Sequence, residues 1–100
     1  MTEQIYEKRT VSDIIIAYLE QIGVEYVFGI PGGHIASLYE SLYRSEQKGG
    51  LRAIMNRHET GAAFMAAGYA LETGKIGVCF TTAGPGATNI ITGMAEAYAT

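Results

Sequence analysis

The sequence lacks the features that would suggest a nucleic-acid partner, a membrane span or a disulfide. Its seven lysine and arginine residues are scattered without a basic run, and the formal net charge is −3, which argues against a nucleic-acid partner. No apolar stretch approaches the roughly 18–20 residues that cross a bilayer, and the polar N-terminus has no secretory signal. The single cysteine, Cys79, cannot form an internal disulfide. These absences predict a cytoplasmic protein with no membrane or nucleic-acid partner.

The composition is that of a folded domain. The chain has 100 residues, of which 48% are hydrophobic and 10% are aromatic. That content can supply the core of one small domain, so disorder is not expected. Cys79 lies in the apolar run GVCF, where a small buried thiol is the simplest interpretation.

Apolar spacing predicts four helices and three strands in alternation. The helices are predicted at about 11–22, 35–44, Glu59–Thr73 and Ala87–Tyr98, and the strands at Tyr26–Ile30, Leu51–Met55 and Gly77–Thr81. The motif Thr10-x-x-Asp13 is a candidate capping box for the first helix, which Gly23 would end. Helices between consecutive strands act as right-handed crossovers, so we expect an α/β fold with a parallel sheet and helices on both faces.

The predicted sheet is small. Three strands leave exposed edges, and the sequence stops directly after a helix that a further strand would ordinarily follow. We therefore expect either an incomplete domain or one that a partner chain completes. The helix over Glu59–Thr73 is rich in alanine and glycine, which would allow close packing on a sheet or at an interface.

Unusual residues follow each predicted strand. The three segments read PGGH, NRHE and TAGPGATN, and ligands of open α/β sheets bind beyond the carboxyl ends of the strands. Glycine loops before helices can present backbone N–H groups to a phosphate. Neither loop, however, completes the P-loop pattern or G-x-G-x-x-G, and each taken singly is more often ordinary turn chemistry.

Three ionisable residues in these segments have a structural interpretation beside a functional one. An acid at the position of Glu59 is favoured in a first helical turn by the helix dipole whether or not it has a chemical role. His58 could cap the same helix or pack in the interior. His34 could be an ordinary surface residue of a first turn.

The three segments together resemble a known family. VFGIPGG, RHETGAAFMAAGYA and TTAGPGATN, in this order and spacing, resemble the pyrimidine-binding (PYR) domain of thiamine-diphosphate-dependent enzymes, closest to acetolactate synthases. The resemblance runs from about Val11 to the last residue. It implies that residues 1–100 are the N-terminal part of a PYR domain of the thiamine-diphosphate-binding fold. The rest of that domain and the pyrophosphate-binding domain are not in this sequence.

The resemblance implies a catalytic role for Glu59. In this family the corresponding carboxylate hydrogen-bonds N1′ of the cofactor's aminopyrimidine and promotes the tautomer whose 4′-imino group removes the proton from thiazolium C2. The carbanion then attacks the carbonyl of a 2-oxo acid, carbon dioxide leaves, and the remaining enamine can add to a second carbonyl compound. The cofactor carries this chemistry, while the protein orients and tunes it.

The same resemblance assigns cofactor-binding positions. The wall of the thiazolium–pyrimidine pocket would be formed by Ile30, Pro31, Gly32 and Gly33. Further contacts on the pyrimidine side would come from Thr82, Pro85, Gly86 and Asn89. Acetolactate synthases commonly have tyrosine where Ile30 stands and alanine where His34 stands, whereas benzaldehyde-lyase-like carboligases have histidine at the latter position. His34 is therefore a candidate on the substrate side.

The resemblance implies a carboligase that decarboxylates pyruvate and transfers the two-carbon unit, as in branched-chain amino acid biosynthesis. The alternatives are a benzaldehyde-lyase-like enzyme, another 2-oxo acid decarboxylase or lyase, or a non-catalytic chain that docks onto a partner to complete a split enzyme. The implied cofactors are thiamine diphosphate and magnesium, the latter bound by the missing domain, while FAD is left open. A homo-oligomer with its active site between subunits is expected, and the isolated chain is expected to be inactive.

Overall fold

A computed structural model describes residues 10–99 of the chain. Its elements alternate along the sequence, with a short 3-10 turn at Gly33–Ile35 before the second helix. The strands are β1 (Tyr26–Gly29), β2 (Arg52–Met55) and β3 (Val78–Phe80). The helices are α1 (Val11–Gln21), α2 (Ala36–Gln47), α3 (Glu59–Thr73), α4 (Pro85–Asn89) and α5 (Ile91–Ala99).

The three strands form one parallel sheet in the order β2-β1-β3. Phe28 in the central strand pairs with Ile54 of β2 and with Cys79 of β3. All three strands therefore end at the same edge of the sheet. The helical crossovers that a parallel sheet requires are supplied by α2 and α3.

Hydrophobic cores lie on both faces of the sheet because side chains of β1 alternate in direction. Val27 belongs to the core under α1 and α2, together with Leu42 and Leu51. Phe28 belongs to the core under α3, where it meets Ala62 and Ala66. The predicted fold class, a parallel sheet with helices on both faces, is confirmed.

The helix starts follow the chemistry of their caps. Thr10 and Asp13 form a reciprocal capping box at α1, so that prediction is confirmed. His58 is the N-cap of α3, where its Nδ1 accepts a hydrogen bond from the Thr60 N–H at 3.1 Å. This settles His58 as a helix cap. Gly74 ends α3 in the left-handed region at φ 74°, where glycine is favoured.

The prediction for the last helix was wrong. A single helix was expected over Ala87–Tyr98, but the chain forms α4 and α5, which meet at Ile90. The hydroxyl of Thr60 donates to the Asn89 carbonyl at 2.6 Å. That carbonyl therefore makes a tertiary contact at the point where the helix is interrupted.

The helix predicted at 35–44 begins with the 3-10 turn and extends to Gln47.

Three remaining predictions concern Cys79, the N-terminus and membrane spans. Cys79 is half-buried, and burial raises the pKa of its thiol, in keeping with a packed structural cysteine. The expectation drawn from the polar N-terminal segment falls on residues 1–9, which lie outside the described range. Over residues 10–99 the structure has no helix of sufficient length and apolar character to pass through a membrane.

Candidate functional site

The candidate site lies at the edge of the sheet where the three strands end. Because the strands are parallel, the segments after β1, β2 and β3 meet there. These segments are 30–32, 56–58 and 81–84. Each leads into a helix or a 3-10 turn, so helix N-termini and loop glycines surround the same edge.

Glu59 is the first residue of α3 and is half-buried at this edge. Its Oε1 accepts a hydrogen bond from the side-chain amide of Asn89 at 3.2 Å. Asn89 closes α4, so the contact joins the segment after β2 to the segment after β3. The other oxygen, Oε2, lies 3.6 Å from the position that a Cβ on Gly86 would occupy.

The local hydrogen bonds hold the pKa of Glu59 below its usual value. The largest cause is a hydrogen bond from the backbone N–H of Glu59 itself, followed by the Asn89 amide, and the electrostatic interaction with His58 acts in the same direction. Partial burial opposes them. Glu59 is therefore a carboxylate at neutral pH that can accept a further hydrogen bond.

The Gly86 backbone packs closely beside the Glu59 carboxylate. It is buried, and a Cβ at this position would lie 2.6 Å from Thr81 Oγ1 and 3.0 Å from Thr82 Cγ2. A side chain would thus collide with the end of β3. Glycine at this position keeps the backbone close to both threonines and to Glu59 Oε2.

The loops after β1 and β3 are in direct contact. A Cβ on Gly32 would lie 2.7 Å from Thr82 Cβ, so only glycine fits this approach. His34 is exposed on the 3-10 turn, and its Nδ1 lies 3.5 Å from Thr82 Oγ1. Thr82 is therefore adjacent to Gly32, Gly86 and His34.

The structure brings only some of the predicted site residues together. Glu59, Gly86 and Asn89 form one group, and Gly32, His34 and Thr82 form another. Thr82 links the two groups through its contact with Gly86. Ile30 is half-buried in the first loop, whereas Pro31, Gly33 and Pro85 are exposed. Within residues 10–99, no hydrogen bond joins these four residues to Glu59.

Two residues at this edge were not predicted as site residues. Asn56 follows β2 directly, and its side-chain Oδ1 accepts the Gly29 N–H at 3.0 Å. Thr60 holds the carbonyl of Asn89. The strand-end rule that selected the segment NRHE could have found Asn56. Nothing in the sequence points to Thr60, because its partner lies 29 residues away.

A separate groove of about 730 Å³ lies between α1 and α2, away from the strand ends. It is lined by Asp13, Ser41 and Arg44, which are already joined to one another. The Ser41 hydroxyl is the main reason that the pKa of Asp13 is lowered, with Thr10 and Arg44 contributing. The polar groups of this groove hold α1 against α2.

The donor set at the strand ends fits an aminopyrimidine ring. Glu59 supplies a hydrogen-bonding carboxylate oxygen, and Gly86 places no side chain beside it. No three His, Cys, Asp or Glu side chains of residues 10–99 come together as metal ligands. The magnesium expected from the resemblance concerns residues outside this chain and stays a prediction.

Comparison with known proteins identifies relatives over nearly the whole chain. The family described as thiamine pyrophosphate enzyme, N-terminal TPP binding domain, matches residues 9–100. An acetolactate synthase from Arthrospira platensis is 47% identical over 96 residues, which are 96% of this chain and 17% of that protein. An acetolactate synthase from Mycobacterium avium is 48% identical over 91% of this chain and 14% of its own length. The acetolactate synthase large subunit from Lactococcus lactis is 46% identical over 87% of this chain and 15% of its own length. The chain thus spans about a sixth of the length of these curated relatives.

Proposed function

We propose, from the premise that this chain belongs to the thiamine pyrophosphate enzymes through their N-terminal TPP binding domain, that it is the N-terminal segment of an acetolactate synthase-like carboligase. Thiamine pyrophosphate is the same compound as thiamine diphosphate. The proposed reaction is decarboxylation of pyruvate followed by transfer of the two-carbon unit to a second 2-oxo acid. The names of the relatives, all acetolactate synthases, support this choice of substrates.

The observation that carries the proposal is the environment of Glu59. Its carboxylate is fixed by Asn89 on one oxygen, while Gly86 places no side chain beside the other. A carboxylate with one oxygen held and the other beside a glycine is suited to a single directed hydrogen bond. Glu59 would accept and return a proton at Oε2, toward N1′ of the aminopyrimidine.

The loops supply the remaining binding surface. Ile30, Pro31, Gly32 and Gly33 would form the wall beside the thiazolium and pyrimidine rings, and Thr82, Pro85, Gly86 and Asn89 would contact the pyrimidine. The close approach of Gly32 to Thr82 supports this arrangement, because it brings the first and third loops together. When bound, the cofactor supplies the thiazolium carbon that takes up the 2-oxo acid.

A second candidate function is favoured by the position of His34. Its imidazole is exposed next to Thr82 at the site edge. There it could exchange a proton with the hydroxyl or carbonyl oxygen of a substrate, as would suit a benzaldehyde-lyase-like enzyme acting on 2-hydroxyketones. Replacement of His34 by alanine should impair 2-hydroxyketone cleavage at least about tenfold if this function is correct, a modest part of the usual acid–base contribution.

The remaining features of the complete enzyme belong to the same proposal. Magnesium and the diphosphate would be held by residues outside this chain, and FAD would be bound outside it as well if the enzyme uses one. The active site would lie between two subunits of a homo-oligomer in the cytoplasm. Acetolactate formation would place the enzyme in branched-chain amino acid biosynthesis.

The test is the substitution Glu59→Gln in the complete enzyme. Glutamine keeps the size and can still hydrogen-bond the cofactor, but it cannot donate and recover a proton as a carboxyl group does. We expect the exchange of the cofactor C2–H, followed by NMR, to slow by about 10²–10⁴-fold. Carbon dioxide release from pyruvate should fall in parallel, while cofactor binding persists.

Glu72→Gln is the matched control. It makes the same chemical change on the exposed far end of α3 and should leave exchange and turnover unchanged. If Glu59 only favoured the helix N-terminus, Glu59→Gln would cost a little stability and almost no activity. Exchange and carbon dioxide release both within about threefold of wild type, far below the acid–base range, would remove Glu59 from the proposed role.

A further inference from the structure

Asn56 holds both backbone polar groups of Gly29. Its own N–H donates to the Gly29 carbonyl at 2.9 Å, and its side-chain Oδ1 accepts the Gly29 N–H at 3.0 Å. The side-chain amide also donates to Met65 Sδ at 2.7 Å. Asn56 therefore connects the ends of β1 and β2 to the helix that begins at Glu59.

Gly29 has little freedom to move at this point. It is buried, and a Cβ there would collide with the Phe80 carbonyl and lie 2.7 Å from the Tyr39 hydroxyl. The end of β1 is thus packed against β3 on one side and hydrogen-bonded to Asn56 on the other. The residue that follows is Ile30, the first of the proposed cofactor wall.

Asn56 also stands at the start of the segment that leads to Glu59. Only Arg57 and His58 separate the two residues, and His58 caps α3. The Asn56 side chain therefore fixes Gly29, the last residue before the first loop. The Asn56 backbone begins the segment that leads to the Glu59 carboxylate. The contact with Met65, in the second turn of α3, orients the amide.

We propose that Asn56 is a positioning residue that sets the separation between the wall Ile30–Gly33 and the Glu59 carboxylate. The inference rests on the proposed function, since it takes that wall and that carboxylate as the two sides of the pyrimidine site. Asn56 does not touch the cofactor in this proposal. It acts through the backbone of Gly29.

The test uses the complete enzyme with Asn56→Ala. Without the Oδ1 acceptor, the end of β1 should loosen, so hydrogen exchange of the Gly29 amide should accelerate. The dissociation constant for thiamine diphosphate, titrated in the presence of magnesium, should rise about tenfold, which corresponds to the loss of one well-placed hydrogen bond. Asn56→Ser, whose shorter side chain falls short of the Gly29 N–H, should change both quantities in the same direction if the alanine variant does not fold.

Asn56→Asp tests rescue. The aspartate keeps an oxygen acceptor for Gly29 but loses the amide that contacts Met65. It should restore slow Gly29 exchange and a cofactor dissociation constant within about threefold of wild type, a difference of well under 1.4 kcal/mol. A dissociation constant as weak as that of Asn56→Ala would overturn the assignment of the effect to Gly29.

Ser45→Ala is the matched control for stability. The Ser45 hydroxyl accepts the Leu51 N–H at 2.9 Å, a bond of the same kind at the opposite edge of the sheet. This variant should lose stability without weakening cofactor binding. Equal weakening in Ser45→Ala and Asn56→Ala, or normal cofactor binding in Asn56→Ala despite fast Gly29 exchange, would refute the positioning role. Normal C2–H exchange in Glu59→Gln would instead refute the proposed function, so the two failures are distinguishable.

Discussion

Asn89 makes two hydrogen bonds to the start of α3, one through its side chain and one through its backbone. Its side-chain amide donates to the Glu59 carboxylate at 3.2 Å, and its backbone carbonyl accepts the Thr60 hydroxyl at 2.6 Å. Both partners lie in the first turn of α3. Asn89 therefore locks the end of α4 onto the start of α3. Its side chain orients Glu59, and its carbonyl binds Thr60 at the point where the helix after β3 breaks.

Replacement of Asn89 by leucine should raise the pKa of Glu59 toward its ordinary value. The hydrogen bond from the backbone N–H of Glu59 is the larger cause of the lowered pKa and would remain, so the return should be partial. The measurement is an NMR titration of the Glu59 side-chain carboxyl carbon. Thr88→Ala, which removes a neighbouring hydroxyl bonded to the Pro85 carbonyl, should leave the titration unchanged.

The sign of the accompanying stability change follows from linkage. A carboxyl group whose pKa is lowered on folding stabilises the fold above its unfolded pKa and loses that contribution as the pH falls through its folded pKa. The stability difference between wild type and Asn89→Leu should therefore shrink as the pH falls through the folded pKa of Glu59. A difference that is independent of pH would mean that Asn89 acts through packing and not through the carboxylate.

At the residue scale, the sequence indicated Glu59 because three strand-end motifs occur together in one order. It could not indicate which atoms meet. The bonds from Asn56 to Gly29 and from Thr60 to Asn89 span 27 and 29 residues, and neither side chain belongs to a pattern with a fixed spacing. Their partners are determined by tertiary packing, which local propensity does not encode.

At the scale of elements, α3 and α5 pack through small residues. Gly93 is buried, and a Cβ there would collide with the Cβ of Ala63. One turn further along α3, a Cβ on Gly77 would collide with the Ala66 carbonyl oxygen. The alanine- and glycine-rich composition of α3 was expected to allow close packing, and these two contacts confirm it.

Gly93→Ala should destabilise the chain. The added methyl would force α5 away from Ala63, and overpacking of this kind typically costs about 1–3 kcal/mol. Helix propensity alone would favour alanine over glycine by about 1 kcal/mol. We therefore expect a net loss of up to about 2 kcal/mol, the difference between these opposing effects, measured by urea unfolding.

Gly68→Ala is the matched control. Gly68 lies within α3, is exposed, and has no atom within 4 Å of where a Cβ would be. Only the propensity effect applies, so this variant should gain roughly 0.5–1 kcal/mol. Equal responses of the two variants would show that the α3–α5 contact is looser than the structure describes.

Helices and strands with local signals at their ends were predicted from the sequence, whereas a feature that depends on a distant contact was not. The bounds of α3 were predicted without error because the cap at His58 and the stop at Gly74 are local signals. The three strands were also predicted, each a residue or two too long at one or both ends. The break at Ile90 was not predicted, because the contact found there, from the distant hydroxyl of Thr60 to the Asn89 carbonyl, has no local signal in the sequence. Hydrophobic period alone made the two short helices look like one.

At the scale of the whole molecule, most of the large apolar side chains that remain exposed lie on two surfaces. One surface lies along α3 and α5 and the other along α1. Those on the first are Phe64, Met65, Leu71, Ile91, Met94 and Tyr98. Those on the second are Val11, Ile14, Ile15 and Tyr18 of α1, together with its C-terminal cap residue Ile22. Exposed apolar area of this kind is characteristic of surfaces that other protein segments cover.

We predict that the 100-residue chain self-associates through the surface of α3 and α5. Phe64 and Met94 follow the closely packed pair Ala63 and Gly93, and they are 42% and 57% exposed. Because apolar residues dominate permanent interfaces, a Phe64→Lys, Met94→Lys double variant should weaken association at least about tenfold, the effect of one strong interface residue. Sedimentation velocity over a concentration series measures this change.

The surface of α1 provides the comparison that decides which face associates. Val11→Lys, Tyr18→Lys adds the same two charges to exposed residues of the first helix, which are 73% and 59% exposed. If association is specific to α3 and α5, this double variant should sediment as wild type does. Equal weakening by both pairs would indicate nonspecific attraction between apolar surfaces. A wild-type chain that stays monomeric at high concentration would refute the prediction, because the small-residue helices would then pack only within the chain.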